Sequence, residues 1–135
     1  IFGGGEHEKS FAEGMERRHK GVVSVIGRMS MSQEMDLIGN LDAIVTMDSA
    51  TMHIASLLGI PVVSVWGATH PFAGFYGYGQ HPDNAVQADL PCRPCSVFGD
   101  RPCISGDYRC LSSIRPQEIA DRVAKAVAAQ KSDRR

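Results

Sequence analysis

The 135-residue chain is 43% apolar and carries 14 basic against 15 acidic side chains, for a formal charge of -1. That length suits one ordinary hydrophobic core, and the balanced charge offers no electrostatic case for nucleic acid or for an anionic membrane surface. No apolar run approaches the roughly 20 residues that span a bilayer and no signal peptide opens the chain, so a cytoplasmic location is the default expectation.

The opening "IFGGGEHE" reads as the end of a strand entering a glycine turn, which makes the chain read as a fragment. Ser10 and Glu13 have capping-box spacing, and "SFAEGMERRHK" then reads as a helix with Phe11 and Met15 on one face. "VVSVIG", residues 22 to 27, is β-branched and ended by glycine, as a buried strand would be. Ser30 and Gln33 repeat the capping signature ahead of "MSQEMDLIGN", whose Met31, Met35 and Ile38 share a helical face. "AIVTMD" is the next strand, followed by a helix from Ser49 to Leu58 closed by Gly59 and Pro61, and by a second buried strand, "PVVSVWG".

Strands alternating with short helices predict an α/β fold, a three-layer Rossmann-like domain with a mostly parallel sheet flanked by helices. The glycine- and aromatic-rich "ATHPFAGFYGYGQHPDN" reads as a long loop over the carboxyl ends of the strands, and "AVQADL" as one more candidate strand. A final helix opens at Pro116 with Ile119, Val123, Ala126 and Val127 on one face, and the ending "KSDRR" reads as a solvated tail. Trp66 and the methionines at 15, 31, 35 and 47 fit core positions and call for no cofactor.

One segment carries more polarity than a core needs. In "TMDSATMHIASLLGIP" the spacing puts Ala50, Ile54, Leu57 and Leu58 on an apolar helix face and Ser49, His53 and Ser56 on a polar stripe. The first turn sits at the carboxyl end of a parallel strand, where open α/β sheets bind ligands. There the N–H groups of Ser49, Ala50 and Thr51, with the positive end of the helix dipole, favour a phosphate. The bland alternative is that Asp48 or Ser49 caps the helix and His53 packs as a satisfied histidine. Spacing alone leaves the two open.

The order of segments adds to this. "GGGEHE", "GRMSMSQEMDLI" and "VTMDSATMHIASLLGIPVVSVWGATHP" together resemble the donor-binding half of glycosyltransferase family 9, the heptosyltransferases of lipopolysaccharide assembly. The resemblance implies half of a GT-B fold. Residues 1–135 would be a single C-terminal nucleotide-sugar-binding domain, with a Cys-rich loop at 90–112 and a terminal helix at 114–130, and without the N-terminal acceptor domain. It further implies that Glu8, with Glu6 as the neighbouring choice, accepts the donor ribose hydroxyls and that Met29 lines an adenine pocket. Ser49 and Ala50 would contact the diphosphate, Asp48 and His53 would be the acid and histidine of the motif, and Thr69 would face the donor.

The implied reaction is inverting transfer of a sugar, heptose from an ADP-heptose-like donor, to a lipid-linked saccharide acceptor, with peripheral contact at the inner membrane. The catalytic base belongs to the other domain, so the resemblance implies a chain that binds nucleotide without turning over, and it needs neither cofactor nor divalent metal. Ala50 departs from the family pattern, which has glycine there.

Cys92, Cys95, Cys103 and Cys110 are spaced C-x2-C, x7, C-x6-C. The first pair has the spacing of zinc ligands and the second is wider than usual, so a zinc staple competes with a loop of reduced thiols packed on Phe98 and Tyr108. Two rival functions follow: a zinc-stabilised interaction module on an α/β scaffold, and another GT-B enzyme such as a sugar-nucleotide epimerase. Of the aromatic loop, His70 is the residue most suited to a functional role and the rest to packing or a lid.

Overall fold

The computed structural model describes residues 1–133, which fall into two compact units, Ile1–Leu37 and the chain from Ile38 onward. In the first unit, a 3-10 turn at Glu6–Glu8 runs directly into helix α1 (Lys9–Arg18). Ser10 therefore lies inside the helix rather than capping it. The turn ahead supplies the closing contacts instead: Glu8 N–H donates to Gly5 O at 2.9 Å, and Gly5 N–H to Glu8 Oε2 at 2.8 Å. The buried residue of α1 is Ala12, while Phe11 stays exposed beside Phe2 in an edge-on ring contact.

"VVSVIG" does not form a sheet strand. Ser24 makes a single parallel bridge to Phe2, through Phe2 N–H to Val23 O and Val25 N–H to Phe2 O. A strand persists only where a partner presents a run of matching groups, and within this unit Phe2 alone does so. The second capping box does form. Ser30 N–H donates to Gln33 Oε1 at 2.9 Å, and Gln33 N–H reaches back to Ser30 Oγ at 3.4 Å, opening α2 (Met31–Gly39). Met31 and Met35 are exposed on it and Ile38 is buried, so the methionine face is not core.

The second unit holds the sheet, β1 (Ile44–Met47), β2 (Val62–Trp66) and β3 (Ala85–Gln87), in that order and all parallel. Ile44 lies opposite Val62, and Ser64 opposite Ala85. Between β1 and β2 runs α3 (Ala50–Leu57), and α5 (Pro116–Asp133) follows a single helical turn, α4 (Arg109–Ser112). β2 alternates its faces as a central strand must. Val62 and Trp66 pack with Met52, Ala55, Ile60 and Ile38 on the α3 side; Val63 packs with Val86, Ala126, Ile119 and Val123 on the α5 side. The fold is thus α/β, an open parallel sheet flanked by helices, as the sequence pattern predicts. α5 extends through Asp133, so Lys131 to Asp133 of the expected tail are helical, and Arg134 and Arg135 lie outside the described residues.

The face that α3 buries is not the expected one. Met52 and Ala55 are fully buried and Ser56 nearly so, whereas Leu57 is 76% exposed and Leu58 40%. The helix offers two apolar stripes, and the one bearing the small Ala55 allows closer approach to Trp66 and the sheet. Ser56 is tolerated there because its hydroxyl donates to Met52 O at 2.7 Å. The stop signal reads correctly: Gly59 sits at φ +71, with Gly59 N–H on Ser56 O and Ile60 N–H on Ala55 O, the pair of bonds that closes a helix on a left-handed residue.

At the start of β2 a side chain substitutes for a neighbouring strand. Gln80 Oε1 accepts from Val62 N–H at 2.8 Å while its Nε2 donates to Ile60 O at 2.9 Å. Both partners are almost fully buried, so Gln80→Ala strands a donor and an acceptor and should cost about 1–3 kcal/mol in urea unfolding. Gln80→Glu, which keeps the acceptor but loses the donor, should recover only part of that. A midpoint unchanged in both variants would contradict this role.

Candidate functional site

The carboxyl ends of β1 and β2 open into a cavity of about 370 Å³, a volume within the ordinary range for small-molecule sites. Its floor comes from the strand ends, Met47, Asp48, Val65, Gly67 and Thr69, and its roof from the cysteine segment, with Phe98, Arg101, Tyr108 and three of the four cysteines. Of the expected site residues, the structure therefore brings Asp48 and Thr69 to one wall-sharing space. Thr69 is 8% exposed. Ser49, Ala50, Thr51 and His53 follow Asp48 onto the first turn of α3 and do not line the cavity. Glu8 and Met29 belong to the first unit, where Glu8 folds its carboxylate over the glycine turn and Met29 is partly exposed.

Ser49 is the residue at the N-cap, with extended backbone, yet its side chain does not cap α3. The hydroxyl is engaged with Thr46 Oγ1 at 2.9 Å instead. The helix start is thus left without a cap from Ser49, the condition in which its N–H groups can serve an anion.

What holds the roof to the floor is Arg93, which the spacing of the sequence did not single out. Its guanidinium donates to Gly67 O at 2.6 Å, Ala88 O at 2.5 Å, Thr69 O at 3.0 Å and Gln87 Oε1 at 3.2 Å, and Cys95 N–H adds a backbone bond to Ala68 O at 2.9 Å. Burial pulls the Arg93 guanidinium below its ordinary pKa, against the opposing pull of the Cys110, Cys92 and Cys95 thiols beside it. An arginine between two cysteines in "CRPC" carries no local signal for this, because its partners lie up to 26 residues away.

The aromatic loop divides. Phe75 and Tyr76 pack onto the α3-side core, Tyr76 donating to His81 O at 2.7 Å, whereas Phe72 and Tyr78 are exposed. His70 serves the local backbone, since its Nδ1 accepts Phe72 N–H at 3.1 Å and caps the 3-10 turn Pro71–Ala73. Among the described residues no group of three or more His, Cys, Asp or Glu side chains is set to hold a metal ion, so the zinc staple lacks its ligand geometry. Among them, too, no helix is long and apolar enough to cross a membrane.

Residues 1–103 match the model of glycosyltransferase family 9 (heptosyltransferase). The chain belongs to this family. Family 9 relatives resemble it at low identity. A lipooligosaccharide heptosyltransferase 2 of Campylobacter jejuni is 22% identical over 129 residues, 93% of this chain and 40% of that protein. A lipopolysaccharide heptosyltransferase 1 of Pseudomonas aeruginosa is 33% identical over 73 residues, 53% of this chain and 20% of that protein. The lipooligosaccharide heptosyltransferase 2 of Haemophilus influenzae is 39% identical over 49 residues, 36% and 14% of the two chains. This family 9 chain thus spans at most 40% of the length of these relatives. No solved structure matches it.

Proposed function

We propose that the chain is the donor-binding part of a family 9 glycosyltransferase, one half of a GT-B enzyme that transfers heptose from an ADP-heptose-like donor to a lipopolysaccharide-type acceptor. The observation that carries the reading is the cavity at the carboxyl ends of β1 and β2, lined by Asp48 and Thr69, with Asp48 leading directly in the chain to the start of α3, which Ser49 does not cap. Family membership supports the reaction class.

In this reading the N–H groups of Ala50 and Thr51 and the dipole of α3 hold the diphosphate, Ser49 and Asp48 frame it, and His53 lies one turn along the helix. Thr69 faces the sugar. Glu8 takes the ribose hydroxyls and Met29 flanks the base, roles assigned on the family resemblance. The dipole and N–H groups stabilise the departing nucleoside diphosphate as the bond to the anomeric carbon breaks, which takes the place of a divalent cation. A base from the acceptor-binding domain removes the proton of the attacking hydroxyl, and attack from the opposite face inverts the anomeric centre. A cytoplasmic enzyme meeting a lipid-linked acceptor touches the inner membrane at its periphery. Donor binding is the part of this reaction that the residues described here would carry.

Amide spectra titrated with ADP, UDP and GDP test this. ADP should move the signals of Ser49, Ala50, Thr51 and Thr69 most, and Ala50→Gly should change the affinity for the sugar nucleotide while leaving the remaining spectrum in place. Silence at those four amides with millimolar amounts of all three nucleotides would refute the reading.

A further inference from the structure

The roof of the cavity holds charge and backbone strain that the fold itself does not use. Arg101 lines it and is the one cation among the described wall residues. Among the described residues its guanidinium has no hydrogen-bond or ion-pair partner, and the neighbouring Asp100 accepts from Ser96 Oγ instead. Asp48, on the floor, likewise has none among them. Two opposite charges thus share one cavity unpaired. We propose that Arg101 binds the phosphate attached to the donor's sugar and that Tyr108 covers the sugar itself, an assignment that rests on the cavity holding the donor.

A ligand with hydroxyls at one end and a phosphate at the other answers both charges. A carboxylate accepts hydroxyl protons, and a guanidinium grips phosphate oxygens through parallel N–H groups. Between them the wall is apolar, with Met47, Val65, Phe98 and Leu111, and suits the C–H face of a sugar ring. Arg101 also meets a charge deficit in the reaction. A full negative charge develops on the departing phosphate oxygen as the bond to the anomeric carbon breaks, whereas a helix start supplies only about half an elementary charge. A guanidinium on the cavity wall provides the rest.

Tyr108 lines the same cavity and is the one residue other than glycine with positive φ among the described residues, at φ 48 and ψ 36. That left-handed conformation is costly for an aromatic residue and nearly free for glycine. It is held by Asp107, which accepts Arg109 N–H at 3.2 Å, and by the Tyr108 carbonyl, which accepts Leu111 N–H at 2.9 Å and Ser112 N–H at 3.0 Å as α4 begins. The residue is 53% exposed, belongs to neither hydrophobic cluster, and its hydroxyl has no partner among the described residues. A bulky ring kept at a strained position without packing around it is placed to contact something outside the fold.

Calorimetry on the full chain with AMP, ADP and ADP-heptose separates the two contacts. Arg101→Met should weaken ADP about 10- to 100-fold, as loss of a charged hydrogen-bonding group does, and change AMP less than about twofold. Arg101→Lys, which keeps the charge without the fork, should recover part of the loss. Because no internal contact is lost, Arg101→Met should unfold at the wild-type urea midpoint. Tyr108→Gly should weaken ADP-heptose about 3- to 10-fold, leave ADP unchanged, and preserve or raise the urea midpoint as the strain is relieved. ADP affinity kept in Arg101→Met, or lost in parallel with AMP, would overturn the phosphate contact. An unchanged affinity for ADP-heptose or a lowered urea midpoint in Tyr108→Gly would overturn the sugar contact. A wild-type chain that binds none of the three ligands defeats the donor reading itself, whereas binding that survives both substitutions defeats only the roles of Arg101 and Tyr108.

Discussion

Replacing Arg93 with methionine should lower the unfolding free energy by about 3 kcal/mol and collapse the roof of the cavity with it. A hydrogen bond from a charged donor contributes about 1.5–3 kcal/mol, and each buried acceptor stranded by its loss costs about 1–3. Four such bonds leave the guanidinium, but carbonyls near the surface regain water, so the net is well below the sum. Methionine keeps the stem, which separates loss of the fork from loss of packing. Arg93→Lys should recover little, because an ammonium cannot span acceptors on Gly67, Thr69 and Ala88 at once. Urea unfolding gives the energy, and the amide signals of Gly67, Thr69 and Cys95 report the roof. Wild-type stability in Arg93→Met would mean that the four contacts are incidental.

Trp66→Ala should cost about 3–5 kcal/mol, the range for emptying a large buried aromatic site. Trp66 has no exposed surface and packs between Met52, Ala55 and Tyr76, and its Nε1–H donates to Ser64 Oγ at 2.8 Å. For a chain whose total stability is on the order of 5–15 kcal/mol, that loss takes from about a fifth to all of the total and moves the variant toward the edge of folding. Trp66→Phe keeps most of the volume and drops the indole N–H, so about 1–2 kcal/mol should be lost. Equal midpoints for the two variants would show that the ring volume is not what matters, and a cost under about 1 kcal/mol for alanine would remove Trp66 from the centre of the core.

These two residues also mark what the sequence could and could not disclose. Trp66 closes the apolar run of "PVVSVWG", broken by Ser64 alone, whose flanking proline and glycine mark a buried strand without any knowledge of its neighbours. Arg93 acquires its role only after β2 and β3 lie side by side, so no window of sequence contains the reason for it. α3 falls between these cases. Its limits were legible, because Gly59 and Pro61 act locally. Its buried face was not, because Leu57 and Leu58 outweigh Ala55 in hydrophobicity while Ala55 fits better beneath Trp66. "VVSVIG" has strand composition throughout, but composition cannot supply the hydrogen-bonding partner that a strand requires. At the site, Asp48 and Thr69 both line the cavity, a juxtaposition that residue spacing by itself leaves undecided because it depends on β1 and β2 lying side by side.

Ala50 is exposed, on the outer side of the first turn of α3, and belongs to neither hydrophobic cluster. A change there alters helix propensity by no more than about 1 kcal/mol and disturbs no packed neighbour. Selection can therefore vary this position between glycine and alanine almost without regard to folding. With the donor contact proposed for it, Ala50 is a position where specificity can drift through neutral intermediates, because it contributes little to the core.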